Sequence, residues 1–228
     1  MGASKHTSDV YVDRFDEIRD RLPGAGLPWL KNLRSGAIER FADCGLPNSR
    51  VEEWKYTNLS RILDPQPVLA GPSLNGVHRA SLKQYYLDPT PCHRMVFVNS
   101  YYRPDLSETG VIPVGLTLCS LETALADRPE LLEAHWGILD DLSEDRLSGK
   151  NDLKPHAMIA LNTAFAAGGA VIHLDHNVSL DGPIHLIYLT VREGGRPEMS
   201  HPRTLVVAEA GAHATVFETF IGNGGDAH

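Results

Sequence analysis

The sequence predicts an α+β protein: a helical N-terminal region, a small α/β segment, and a C-terminal stack of short strands. Three observations carry this. Residues 9 to 44 place apolar side chains at helical spacing. The last third, Gly168 to Ile221, is a series of short runs rich in β-branched and aromatic residues. Turn-forming clusters separate those runs, among them Asp181-Gly182-Pro183, Gly194-Gly195-Arg196-Pro197, Ala210-Gly211 and Gly222-Asn223-Gly224-Gly225. No helical pattern fits between the strands, so ordinary βαβ crossovers are not expected. Two arrangements remain open, an antiparallel sheet or the first rungs of a parallel β-helix. Gly169-Ala170-x-Ile172-x-Leu174 resembles Gly211-Ala212-x-Ala214-x-Val216, a weak repeat that favours the second. The expected segments are 1–79, helical and ending in a Pro/Gly-rich linker; 80–155, small α/β; and 156–228, the strand stack.

The first helix is expected over 9–22, where Tyr11, Phe15, Ile18 and Leu22 form one stripe and Pro23-Gly24 ends it. The second spans about 28–44. Pro28 suits its first position, Leu30, Leu33, Ala37, Ile38 and Phe41 form its buried face, and Gly45 supplies a left-handed C-cap. Together they predict an αα-hairpin. Ser49 and Glu52 have capping-box spacing, so a short helix is expected there. Residues 64–79 read as a linker or surface loop, with Pro65, Pro67, Gly71, Pro72 and Gly76. One or two helical turns are expected over 80–87.

Met95 to Val98 reads as a buried strand, Tyr101 to Asp105 as a turn, and Leu116 to Cys119 as a second strand. Ser120 caps a short helix. A further helix covers 129–136, with Asp127 as N-cap and Pro129 in its first turn. The acidic stretch 137–155 is expected to be a solvated loop. A last helix covers 156–166. The strand runs are 170–174, 184–189, 204–208 and 214–220.

The formal charge of −8, from 21 basic and 29 acidic residues in 228, argues against nucleic acid and anionic membranes as partners. No apolar run approaches the ~18 residues of a membrane span, and the polar N-terminus has no secretory core. Cys44, Cys92 and Cys119 are odd in number and widely spaced. They read as reduced cytoplasmic thiols rather than metal or cluster ligands.

Catalytic motifs are absent. There is no Gly-x-x-x-x-Gly-Lys-Ser/Thr, no Gly-x-Ser-x-Gly and no His-Glu-x-x-His. His173, His176, His185, His201 and His213 form the densest histidine group. Alternation along a strand puts His173 and Asp175 on one face, and stacked rungs would bring His185 above or below them. Strand histidines are usually solvated or hydrogen-bonded, so no metal ligands are expected. A carbohydrate-active enzyme needs convergent carboxylates. Asp175, Asp181, Glu193, Glu209 and Glu218 show no such spacing.

Within Pro47-x-x-Arg50-x-Glu52-Glu53-Trp54-Lys55-Tyr56-Thr57-x-Leu59, residues Arg50, Glu52 and Glu53 read as locally paired around Trp54, which pins a connecting segment. The same residues resemble the N-terminal signature of the SufB/SufD family of iron-sulfur cluster assembly proteins, on the SufD side. The order downstream is similar too. It runs through Val96-Phe97-Val98-Asn99, Leu161-Asn162-Thr163-Ala164-Phe165, Gly169-Ala170, Pro183-Ile184, His201-Pro202-Arg203 and Glu218-x-Phe220.

The resemblance implies a right-handed parallel β-helix after the helical region. It implies a non-catalytic scaffold subunit of a SufBCD-type complex, cytoplasmic, with SufB-like and SufC-like partners. The SufC-like partner is an ABC-type ATPase. The signature residues Arg50, Glu52, Glu53, Trp54, Lys55, Tyr56 and Thr57 would be structural or docking. No cofactor is expected on this chain, the cluster and ATP being handled by the complex. The chain stops at His228 inside the expected β-helix, so it reads as an N-terminal piece. The family's cluster-building residues would lie beyond His228. An open β-helix end would be covered by self-association, by a rearranged sheet or by the N-terminal helices. A plain protein-interaction module is the other alternative.

Overall fold

The structure is a computed structural model and describes residues 7–59, 68–73, 77–87, 92–137, 156–191 and 198–223. Its helices are α1 (Thr7–Ile18), α2 (Pro28–Cys44), α3 (Arg79–Leu82), α4 (Leu121–Asp127), α5 (Pro129–His135) and α6 (Ala157–Phe165). Its strands are β1 (Val68–Leu69), β2 (His93–Val98), β3 (Tyr101–Tyr102), β4 (Leu116–Ser120), β5 (Gly168–Leu174), β6 (Ile184–Val191), β7 (Glu198–Met199), β8 (Pro202–Ala208) and β9 (Val216–Asn223). The class is mixed α+β, with helices and several sheets. The chain forms two units, Met1–Asp64 with Leu125–Ala166, and Pro65–Ala124 with Ala167–His228.

In the first unit α1 runs on into a 3-10 turn at Arg19–Arg21 and buries Tyr11 and Phe15, with Leu22 buried just beyond. Pro28 opens α2, and the Gly45 N–H closes it on the Phe41 carbonyl at 2.8 Å with φ +65°. Tyr11 and Phe41 meet edge-on at 5.5 Å, as do Phe15 and Phe165 at 5.8 Å. The buried stripe of α2 departs from expectation at one place. Leu33 is half-buried, and Arg34 is buried instead. Its guanidinium donates to the Pro23 and Ala166 carbonyls, both at 2.9 Å. Burial lowers its pKa to about 10. Arg34 thus satisfies one carbonyl in the loop between α1 and α2 and the carbonyl of Ala166, which caps the end of α6. The start of α4 belongs to the second unit, and there Ser120 is the cap as expected, its Oγ accepting the Thr123 N–H at 3.2 Å. Asp127 does not cap α5. It is still inside α4, and Arg128 takes the N-cap position with no side-chain bond.

In the second unit one sheet has the order β3-β2-β6-β9, a second β4-β5-β8, and β1 pairs with β7. Successive strands β5, β6, β8 and β9 therefore alternate between two sheets. β5 pairs in parallel with β8 and β6 with β9, each roughly one circuit later. Gly168 faces Pro202 and Ser179 faces His213, both 34 residues on, while Ile184 faces Val216, 32 residues on. The corner repeats with the strands. Asn177 at φ +60° is matched by Gly211 at +75°. The turn bonds from Val178 to Asp175 and from Ala212 to Glu209 are equivalent, at 3.1 and 3.0 Å. Among the described residues, antiparallel pairing joins β2 with β3 and β4 with β5, and Arg94 with Glu108 in an isolated bridge.

The Gly169 and Gly211 motifs are not equivalent positions. Gly169 faces Arg203 on β8, whereas Gly211 sits in the corner against Asn177. The resemblance reflects a shared need for glycine, not shared register. The supposed linker also contributes structure: Val68–Leu69 pairs with β7, and Ala70 and Ser73 are buried. The expected turn at Tyr101 begins earlier, at Asn99 and Ser100, both at positive φ, and Tyr101–Tyr102 becomes a strand. Asn99 fixes that hairpin, donating to the Gly71 carbonyl at 3.0 Å and accepting the Val191 N–H at 2.9 Å. The acidic stretch over 138–155 and the Gly194–Pro197 turn lie outside the described residues.

β6 is buried on both faces, which is why it reads as an unbroken apolar run. Ile184, Leu186 and Tyr188 join Met95, Phe97, Ala170, Ile172 and Leu174 between the two sheets. Ile187, Leu189 and Val191 face the other way, onto Val77, Leu82 and Leu106.

Candidate functional site

The signature segment is an exposed knuckle anchored at both ends. Pro47 and Leu59 are buried. Between them Asn48 Oδ1 accepts the Arg50 N–H at 2.9 Å, and a 3-10 turn forms at Glu52–Trp54. The capping box expected from Ser49 does not form. Val51 is the N-cap and makes no side-chain bond, because the Asn48 side chain has already turned the chain. Glu52 pairs with Lys55 at 3.6 Å, and the Lys55 ammonium lies 5.7 Å from the Tyr56 ring centroid. Trp54 is half-buried, while Arg50, Glu53 and Thr57 are exposed. Tyr56 is 93% exposed. Surface pairs of this kind contribute little to stability. Among the described residues, Lys55 and Tyr56 thus meet their neighbours through surface contacts.

The second constellation lies between the two sheets. Phe97, Tyr188 and Phe220 occupy matched positions on β2, β6 and β9. Their rings stack at 4.9 and 5.2 Å. The Tyr188 hydroxyl meets Thr204 Oγ1 at 2.8 Å, and the Thr204 hydroxyl donates to Glu218 Oε1 at 2.5 Å. Because Thr204 spends its one hydroxyl hydrogen on Glu218, the Tyr188 hydroxyl donates to Thr204, and burial holds the phenol well above its usual pKa. β8 and β9 are edge strands, and Val206, Phe217 and Phe220 are exposed on them at 47%, 46% and 65%. A cavity of about 380 Å³ opens beside them, lined by Leu174, Val206, Ala208, Ala212, His213 and Val216 among others.

The histidines do not form one group. His185 is buried, bonded through Nε2 to Thr219 Oγ1 at 2.8 Å, with its pKa lowered by burial and by Arg94. His201 is buried, and desolvation lowers its pKa to about 4. His176 and His213 are exposed. His173 lies between two carboxylates, Nε2 at 3.0 Å from Glu209 Oε1 and Nδ1 at 3.7 Å from Asp175 Oδ1. Of the four carboxylates considered for glycoside chemistry that lie among the described residues, these two come together. Glu218 faces the inter-sheet space, Asp181 is exposed at a turn, and Glu193 lies outside the described residues. Cys44, Cys92 and Cys119 form no disulfide, and burial raises the Cys92 thiol. Sequence reasoning did not find Thr204 or the meeting of Glu209 with His173, because both depend on which strands become neighbours.

These features define an α+β protein built on a two-sheet ribbon of parallel strands, preceded by an exposed knuckle. A family model described as the SufBD protein N-terminal region matches residues 5–186. An iron-sulfur cluster assembly SufBD family protein of Synechocystis sp. is 34% identical over 191 residues, covering 84% of this chain and 39% of the relative. The iron-sulfur cluster assembly protein SufD of Bacillus subtilis is 26% identical over 233 residues, covering 97% of this chain and 47% of the relative. The chain belongs to the SufB/SufD family. It spans less than half the length of these two curated relatives. No helix among the described residues is long and apolar enough to cross a membrane.

Proposed function

We propose that this chain is the N-terminal part of a non-catalytic, SufD-like scaffold subunit for iron-sulfur cluster assembly. It would work in the cytoplasm with a SufB-like subunit and a SufC-like ABC-type ATPase. The observation that carries this reading is the family match over residues 5–186. ATP and the nascent cluster would be handled by the complex, in keeping with the lack of a phosphate-binding loop motif in the sequence. The division into 1–79, 80–155 and 156–228 would follow this layout, from helical region to ribbon.

The ribbon is, on this reading, the start of a right-handed parallel β-helix. The stacked rings, the repeated corner and the circuit of about 34 residues support it. The apolar inner positions at β8 and β9 would be covered by a further coil of a longer chain, or by a second copy. Analytical ultracentrifugation separates these, since a strict monomer at high concentration excludes the second copy.

Co-purification tests the function. Full-length protein carrying a tag is co-expressed with SufB-like and SufC-like subunits, and a complex containing all three is expected. A folded protein that captures neither subunit overturns the proposal. The signature is tested in the same assay with Lys55→Glu/Tyr56→Ala. A docking role predicts weaker capture at unchanged thermal stability. A structural role predicts the reverse.

A further inference from the structure

We propose that His173, Asp175 and Glu209 form a binding site for one divalent first-row transition-metal ion, fastening one corner of the ribbon to the next. The three side chains come from equivalent places on successive circuits. His173 is the penultimate residue of β5 and Asp175 follows that strand, while Glu209 follows β8. The Asp175 N–H bonds to the Gly115 carbonyl at 2.9 Å and the Glu209 N–H to the Leu174 carbonyl at 3.0 Å, so the two carboxylates are stacked one layer apart. Like charges placed opposite each other across a sheet are destabilising. Among the described residues neither carboxylate pairs with a lysine or arginine, and the group facing both is His173.

One ligand atom from each residue lies within 4.8 Å of the others. The 3.0 Å between His173 Nε2 and Glu209 Oε1 approximates one edge of a coordination shell with bonds of about 2.1 Å. The imidazole is held by its strand, its side chain only 13% exposed, and its buried Nδ1 has no hydrogen-bond partner. The carboxylates are 59% and 47% exposed, free to swing onto an ion, and water can complete the shell. An imidazole with two carboxylates selects zinc, manganese, ferrous iron, cobalt or nickel over magnesium or calcium, which take oxygen ligands alone. The ion would join residues 34 positions apart across parallel strands.

The test is a calorimetric titration of chelator-treated protein with ZnCl2 at pH 7.5, paired with Co2+ absorption spectroscopy. One site of micromolar affinity is expected. His173→Gln and Glu209→Gln should each weaken it more than tenfold, while His213→Gln should leave it unchanged. Bound Co2+ should give visible bands that Zn2+ abolishes, a readout that needs no variant. Heat no greater than dilution overturns the proposal. So does binding that survives both His173→Gln and Glu209→Gln, because the ion is then held elsewhere.

Discussion

Gly169→Ala is the substitution that most sharply examines the pairing of β5 with β8. Gly169 sits at φ +134°, a conformation closed to L side chains, and a Cβ there would fall inside the backbone of Arg203. Seven consecutive residue pairs hold β8 in place, from Gly168–Pro202 to Leu174–Ala208, so the obstacle is backbone rather than a movable side chain. Strain at a forbidden φ costs about 1–3 kcal/mol and overpacking a similar amount, giving about 4 kcal/mol in all. That is a large share of the about 5–15 kcal/mol that stabilises a typical domain. With a urea m-value of about 2–3 kcal/mol/M, the unfolding midpoint should fall by about 1.3–2 M. Gly71→Ala is the control. Nothing lies within 4 Å of a Cβ at that position, so its effect should stay within about 0.5 kcal/mol. If Gly169→Ala and Gly71→Ala unfold at the same urea concentration, the β5–β8 register is wrong.

Tyr188→Phe should cost about 1 kcal/mol through the lost bond to Thr204, and Tyr188→Ala about 4 kcal/mol by emptying the centre of the ring stack, both read by urea unfolding. Arg34→Ala should cost about 2–4 kcal/mol by leaving the Pro23 and Ala166 carbonyls unpaired, with Arg34→Lys intermediate; a neutral Arg34→Ala contradicts its structural role. His201 stays neutral in the fold down to about pH 4, whereas the unfolded chain takes up its proton near 6.5. Its contribution is therefore intact above pH 6.5 and is lost as pH falls toward 4, by up to about 3 kcal/mol. His185 acts in the same direction. His201→Gln should flatten the urea midpoint between pH 7 and 4.5, and an unchanged slope refutes the assignment.

Local signals named the helices well. The bounds of α2 follow from Pro28 and Gly45, and β6 announces itself as an apolar run too short for a helix. Partner choice is a different quantity. Alternation says which face a residue takes but not which strand lies beside it, and the same Gly, Pro and Asp clusters serve hairpins and parallel coils alike. That is why both sheet arrangements stayed open from sequence, and why β1, β3 and β7, each of two residues, left no trace. Arg34 was invisible because a charge inside an apolar stripe reads as exposed until its carbonyl partners are known. Glu209 could not be assigned to His173 without the 34-residue interval. The knuckle from Arg50 to Thr57 was read from sequence as a locally paired segment pinned by Trp54, and the turn made by Asn48 in place of the Ser49 capping box was not foreseen, because Asn and Ser compete for the same backbone groups.

The claim beneath all of this is that from β5 onward the strands β5, β6, β8 and β9 alternate between two sheets, while β5 with β8 and β6 with β9, one circuit apart, are neighbours. Cross-strand nuclear Overhauser contacts in the isotope-labelled protein measure that directly. The account predicts parallel-type amide-to-Hα contacts linking Ala170–Leu174 to Thr204–Ala208, and Ile184–Leu189 to Val216–Ile221. Hα–Hα contacts joining β5 to β6 and β8 to β9 in an antiparallel meander would contradict it.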